Sequence, residues 1–128
     1  MSTTRGTRRV FKTAWFARAA RKALIADEEL CKAIHEVMLG QADNLGGGVF
    51  KKRLGKNLYR SIIVAKGGSN WVYVYLFAKN DRANIEGYEL RNFRALADLY
   101  GRKTDAEIAQ EMAADELMEI CHGPKSQI

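Results

Sequence analysis

Residues 71–78 read Trp-Val-Tyr-Val-Tyr-Leu-Phe-Ala. This run of eight carries no charge and is rich in aromatic and β-branched side chains. Such residues fit a pleated surface, and a strand apolar on both faces belongs in the middle of a sheet. Just before it stands Gly67-Gly68-Ser69-Asn70, a strong hairpin signal. Before that, Leu58–Ala65 reads as a second strand, with Leu58, Arg60, Ile62 and Val64 on one face. Gly55-Lys56-Asn57 is a loop. Val49–Leu54 alternates, with Val49, Lys51 and Arg53 on one face and Phe50, Lys52 and Leu54 on the other. Gly46-Gly47-Gly48 is the turn that opens this three-strand block.

On either side of the block the apolar period becomes helical. Val10-Phe11 fits a short strand, and Thr13 is placed to cap a first helix. Trp15, Phe16, Ala19, Ala20, Ala23 and Leu24 form its apolar stripe, with Arg18, Arg21 and Lys22 on the other side. Asp27 is read as the cap of a second helix, with Glu28 and Glu29 in its first turn and Leu30, Ile34, Val37 and Met38 facing inward. Gly40 is its stop. After Lys79-Asn80-Asp81, a stripe through Ile85, Tyr88, Phe93, Leu96 and Tyr100 predicts a helix stopped by Gly101. Thr104-Asp105-Ala106-Glu107 is a capping box opening a last acidic helix, with Ile108, Met112, Leu117 and Ile120 as its apolar positions. The expected fold is α+β, in the order (β)ααβββαα: an antiparallel sheet with two N-terminal helices packed on one face, and C-terminal helices. The division is a folded body over 1–103, with a flexible basic arm at 1–8, then an acidic helix and tail over 104–128.

With 128 residues the chain suits one compact domain, and 47% hydrophobic with 28% charged residues argues against disorder. The net charge of +6 is uneven. Residues 1–103 hold 20 Lys/Arg against 9 Asp/Glu, a net of +11, whereas 104–122 hold six acids and no Lys/Arg. A basic body points to an anionic partner such as nucleic acid. Cys31 and Cys121, 90 positions apart, have neither redox nor metal spacing and are read as free thiols, which suits a reducing cytosol. No signal-type apolar core follows the N-terminus, and no apolar run approaches the roughly 20 residues of a membrane helix. The expectation is a soluble cytoplasmic protein.

Two histidines, His35 and His122, offer no catalytic triad. Gly46-Gly47-Gly48 precedes a strand rather than a helix, so it does not meet the context of a phosphate loop. The unusual feature is the cations on the strands. Lys51 and Arg53 alternate on one face, Arg60 sits among apolar residues, and Lys79 ends the central strand. An open cationic sheet face suits a phosphodiester, and a solvated face with edge lysines explains the pattern equally well. Tyr59, Trp71, Tyr73 and Tyr75 lie near these cations and could stack bases, with core the favoured role for Trp71 and Tyr75. Cations alone can cut RNA, because the 2′-hydroxyl supplies the nucleophile. Arg grips phosphate in a bidentate manner, and a lysine crowded by cations can serve as base.

The segments VFKTAWFARAARK (10–22), LGGGVFKKRLG (45–55), LYRSIIVAKG (58–67) and, most specific, VYLFAKNDRANI (74–85) resemble the RelE/ParE superfamily of type II toxins, in the RelE-like, HigB-related branch. The match runs from Val10 to about Leu99. The resemblance implies a small α+β toxin that cuts mRNA in the ribosomal A site without metal or other cofactor. It also implies neutralisation by a cognate antitoxin, often a helix-turn-helix protein. By position it makes Arg60 the group that stabilises the scissile phosphate, Lys51 or Arg53 the base or a further charge, and Lys79 an aid to the leaving group or a holder of backbone phosphate. Tyr59, Lys52, Lys56 and Arg82 are the matching RNA contacts. Asp81 and Asn84 are expected to shape the turn and cap the next helix. Tyr88 is the nearest match to a C-terminal catalytic tyrosine, although its stripe position favours burial. His35 is read as a surface or packing residue.

The superfamily also contains ParE-type gyrase poisons, which share the fold without the nuclease residues, so a gyrase-directed toxin is the alternative. A third reading, that TDAEIAQEMAADELMEI forms a DNA-binding helix-turn-helix, is opposed by its acidity and the lack of a turn glycine.

Overall fold

The structure is a computed structural model that describes residues 8–122. All of the expected N-terminal arm except Arg8 lies outside the described residues. The elements are β1 (Arg9–Thr13), α1 (Ala14–Lys22), α2 (Asp27–Met38), β2 (Asp43–Gly46), β3 (Val49–Leu54), β4 (Tyr59–Val64), β5 (Asn70–Ala78), α3 (Gly87–Arg102), α4 (Asp105–Ala113) and β6 (Leu117–Ile120). One six-stranded sheet has the order β2-β3-β4-β5-β1-β6. The apolar run at 71–78 forms most of β5, an interior strand antiparallel to β4 and parallel to β1.

Strand alternation sorts the core into two layers. Ile63 and Tyr73 face α1 and α2 and pack with Phe16, Leu30 and Ile34. Ile62 and Val72 face the other way and pack with Ala97 of α3 and Ile108 of α4. The α+β expectation holds. The C-terminal helices cover the face opposite α1 and α2, and the parallel β1 makes the sheet mixed. Tyr73 is fully buried and its hydroxyl donates to the Leu30 carbonyl at 2.7 Å, which ties β5 to α2. It therefore cannot stack a base, and burial pushes its phenol up.

The caps explain where the helices start. Thr13 Oγ1 accepts the Phe16 N–H at 3.1 Å, as expected for α1. The box of Thr104 and Glu107 forms with both bonds made. At α2 the cap position is Ala26, with no side-chain bond, and Asp27 stands inside the first turn. Its carboxylate instead pairs with Lys12 at 2.7 Å.

Five expectations are overturned. Asp43–Gly46 is an edge strand on β3, held by Arg94 of α3, whose guanidinium donates to the Leu45 and Gly46 carbonyls. Nothing local in Asp-Asn-Leu-Gly signals a strand. Leu117–Ile120 is the strand β6 rather than the end of the last helix. Asp115 turns the chain at φ +60°, and β6 pairs antiparallel with β1. Apolar residues at 117 and 120 share a face in a helix but point to opposite faces in a strand, Leu117 into the α3/α4 layer and Ile120 into the α1/α2 layer, and pairing to β1 decides between them. The stretch after α4 is β6, and among the described residues no second helix follows α4, so the helix-turn-helix reading falls. Gly101 lies within α3, where a Cβ would stand 2.8 Å from the Lys66 carbonyl oxygen, so close packing requires it there. Finally, Cys31 and Cys121 form a disulfide, with Cα atoms 5.4 Å apart. The return of β6 beside β1 brings Cys121 to α2, a proximity that a 90-residue separation hides. Neither cysteine is a free thiol, so the pair does not point to a reducing compartment. Among the described residues, no helix is long and apolar enough to cross a membrane.

Candidate active site

β3, β4 and β5 set Arg53, Arg60 and Phe77 side by side. Arg53 is the register partner of Arg60, and Arg60 of Phe77. By alternation all three lie on the face that α3 and α4 cover further along, where Val49, Ile62 and Val64 are buried. The cover thins towards this row. Val49 is fully buried, Lys51 is half-buried and Arg53 is exposed.

Lys51 stands on the same face two residues before Arg53. Its Nζ lies 3.2 Å from Asn84 Oδ1 and 3.8 Å from an Asp43 carboxylate oxygen. Arg60 donates from Nη1 to the carbonyls of Asn57 and Tyr59, both at 3.1 Å. Neither Arg53 nor Arg60 has a carboxylate partner among the described residues, whereas Arg9, Lys12, Lys52, Lys66, Arg82 and Lys103 each do. Like charges directly opposite on neighbouring strands repel. An anion between them removes that repulsion, so the pair is suited to a phosphate. Lys79 is exposed just past the end of β5, also without an ion pair among the described residues, and its backbone N–H binds the Leu58 carbonyl at 3.0 Å.

The other expected contacts divide. Lys52 points to the α2 face, where it meets Glu36 at 2.9 Å and the Gln41 carbonyl at 2.8 Å. That bond holds the Glu36 carboxyl below its usual range. Tyr59 also packs towards α1 and α2, with its ring against Gly55. Neighbours on a strand face opposite ways, so Tyr59 lies on the surface opposite Arg60. Lys56 lies in the β3–β4 turn beside a cleft shared with Glu29 and Glu36.

Arg82 is clamped rather than free. It binds both Glu89 oxygens, the Tyr75 hydroxyl at 3.1 Å and the Asn84 carbonyl at 3.0 Å. The Glu89 bond raises the Arg82 guanidinium and lowers the Glu89 carboxyl. Asp81 closes the turn through its N–H to Ala78, but Glu86 caps α3, in a box with Glu89. Asn84 Oδ1 accepts the Ile85 N–H as well as the Lys51 amine, and so it fixes the lysine rather than the helix. Tyr88 is 59% exposed, which corrects its expected burial. Trp71 is core as expected; Tyr75 is only half-buried.

Sequence reasoning placed Trp15 on an inward stripe. It is 45% exposed and stacks on Tyr75 with centroids 5.1 Å apart and planes at 27°. The signal was the width of that stripe, whose two ends, Trp15 and Leu24, are the exposed members. Among the described residues no group of three or more His, Cys, Asp or Glu is placed to hold a metal ion.

In comparison with known proteins, a search of curated sequences returns no match. The family described as the RelE toxin of the RelE/RelB toxin–antitoxin system matches residues 8–120, nearly all of the described chain and β6 included. With the α+β fold and the strand cations in place, the chain belongs to the RelE family of toxins of toxin–antitoxin systems.

Proposed function

We propose that this toxin is an endoribonuclease that cuts mRNA on the ribosome, with Arg60 and Arg53 holding the scissile phosphate. The observation that supports this reading is the opposed Arg53–Arg60 pair, which lacks carboxylate partners among the described residues. The RNA's 2′-oxygen attacks the adjacent phosphorus and the bond to the 5′-oxygen breaks, leaving a 2′,3′-cyclic phosphate and a 5′-hydroxyl. Extra negative charge on the phosphoryl oxygens falls between the two guanidiniums. Arginine keeps its proton in proteins, so of Lys51 and Arg53 only Lys51 can take the 2′ proton. Asn84 holds its amine in place. Lys79, at the end of β5, supplies a proton to the leaving 5′-oxygen. The partner that restrains this activity is an antitoxin, and we infer the helix-turn-helix type. Translation as the target places the action in the cytoplasm.

The test is Arg60→Ala. Cleavage of ribosome-bound mRNA and growth arrest are both lost, by about a hundredfold or more, while the circular dichroism spectrum is unchanged. Unchanged cleavage removes Arg60 from the mechanism. An SOS response with intact mRNA on expression of the wild type identifies a gyrase-directed toxin instead.

A further inference from the structure

We infer that the edge of β5 beside α1 is a nucleobase-stacking subsite, built on Trp15 and lying next to the phosphate-holding arginines. This inference rests on the RNA-cleaving reading and extends it to a second contact with the same substrate. β1 pairs with β5 from Asn70 to Tyr73, so along Tyr75–Ala78, which β4 pairs on the other side, this edge of β5 carries no strand among the described residues. A cavity of about 370 Å³ opens at this edge, lined by Trp15 and Lys22 of α1, by Tyr59 on the same side of the sheet as α1, and by Tyr75, Phe77 and Arg82.

Three features favour a base in this cavity. Trp15 presents a partly exposed ring, backed by Tyr75 on its other side, and so is stiffened before any ligand arrives. Tyr75 is held in turn by Arg82, whose guanidinium lies 5.5 Å from the Phe77 centroid and binds the Tyr75 hydroxyl. Phe77 is also the register partner of Arg60. Adjacent strands lie about 4.8 Å apart, so the cavity begins about one strand from the phosphate-holding row. A chain whose phosphate sits between Arg53 and Arg60 can therefore lay a neighbouring base on Trp15. Charge agrees, because Lys22 in the lining and Arg18 one turn earlier are exposed and carry no ion pair among the described residues. Asp81 is the one acid in the lining. Stacking on a π-face tolerates any base, so the subsite contributes affinity more than sequence choice.

The chain has two tryptophans, Trp15 and Trp71, and Trp71 is buried at 8% exposure, so emission changes on ligand binding report mainly Trp15. The wild type is titrated with a 2′-O-methyl RNA oligonucleotide of mixed sequence, which cannot be cut. Fluorescence is quenched, and Trp15→Phe abolishes most of the quench. In cleavage of ribosome-bound mRNA, Trp15→Ala raises KM about tenfold with kcat within twofold, and Trp15→Phe lies between. An unchanged KM in Trp15→Ala, while Arg60→Ala still abolishes cleavage, overturns the subsite and leaves the nuclease reading intact. Failure of the nuclease reading shows instead as cleavage indifferent to Arg60, and the fluorescence titration still decides the subsite. A Trp15→Ala toxin with normal KM that its antitoxin no longer neutralises makes the patch a protein-docking surface and also overturns the proposal.

Discussion

Arg53 and Arg60 face each other across β3 and β4, an arrangement that costs stability in the free protein. Function and stability therefore oppose each other at this pair. Arg53→Gln is expected to raise stability by roughly 0.5 kcal/mol while lowering cleavage at least tenfold. Thermal melts at low and high salt test this, with the gain shrinking as salt screens the repulsion. At Gly101 the reverse holds. Gly101→Ala sets a Cβ against the Lys66 carbonyl and should cost about 1–3 kcal/mol, read as a lowered melting temperature. The cations of the candidate site were legible one residue at a time because charge in mid-strand is conspicuous. Their partners were not. Lys52 and Arg53 are neighbours of the same sign, yet one is neutralised by Glu36 on α2 and the other is left open. That difference follows from which face a helix covers.

At the scale of elements, β6 is held to β1 by an ion pair as well as by strand pairing. Arg9 of β1 grips Glu119 of β6 through two bonds at 2.9 and 3.0 Å. The bond to Arg9 holds the Glu119 carboxyl below its usual 4.5. A carboxyl depressed in the folded state stabilises above its unfolded value, and that contribution is lost as pH falls through the folded one. β6 is therefore expected to loosen as pH drops below about 4.5, seen as faster amide exchange in 117–120. Glu119→Gln removes this pH dependence; an unchanged acid response in that variant counts against the pair. Thr104→Ala is expected to cost about 1 kcal/mol through loss of the α4 cap. The helices and the three central strands were readable because periodicity and caps are local. β2 and β6 were not, since each is a strand only because another strand stands beside it.

The whole molecule is closed by Cys31–Cys121, which joins α2 to the residue just after β6. Cross-linking a loop of this length stabilises chiefly by restricting the unfolded chain, by about 4 kcal/mol. Cys121→Ser, or reduction of the wild type, is expected to lower the denaturation midpoint accordingly; an equal midpoint with and without reductant overturns the bridge. Read without the fold, the same two cysteines gave free thiols and a reducing compartment. The α+β class, the central apolar strand and the identity of the strand cations are all legible in the chain, because each rests on period, propensity or charge within a few neighbouring residues. That Arg53 opposes Arg60, that Trp15 backs onto Tyr75 and that Cys121 reaches Cys31 emerges with the fold. Each of these joins residues distant in the chain, whose meeting depends on which strands pair and in which register.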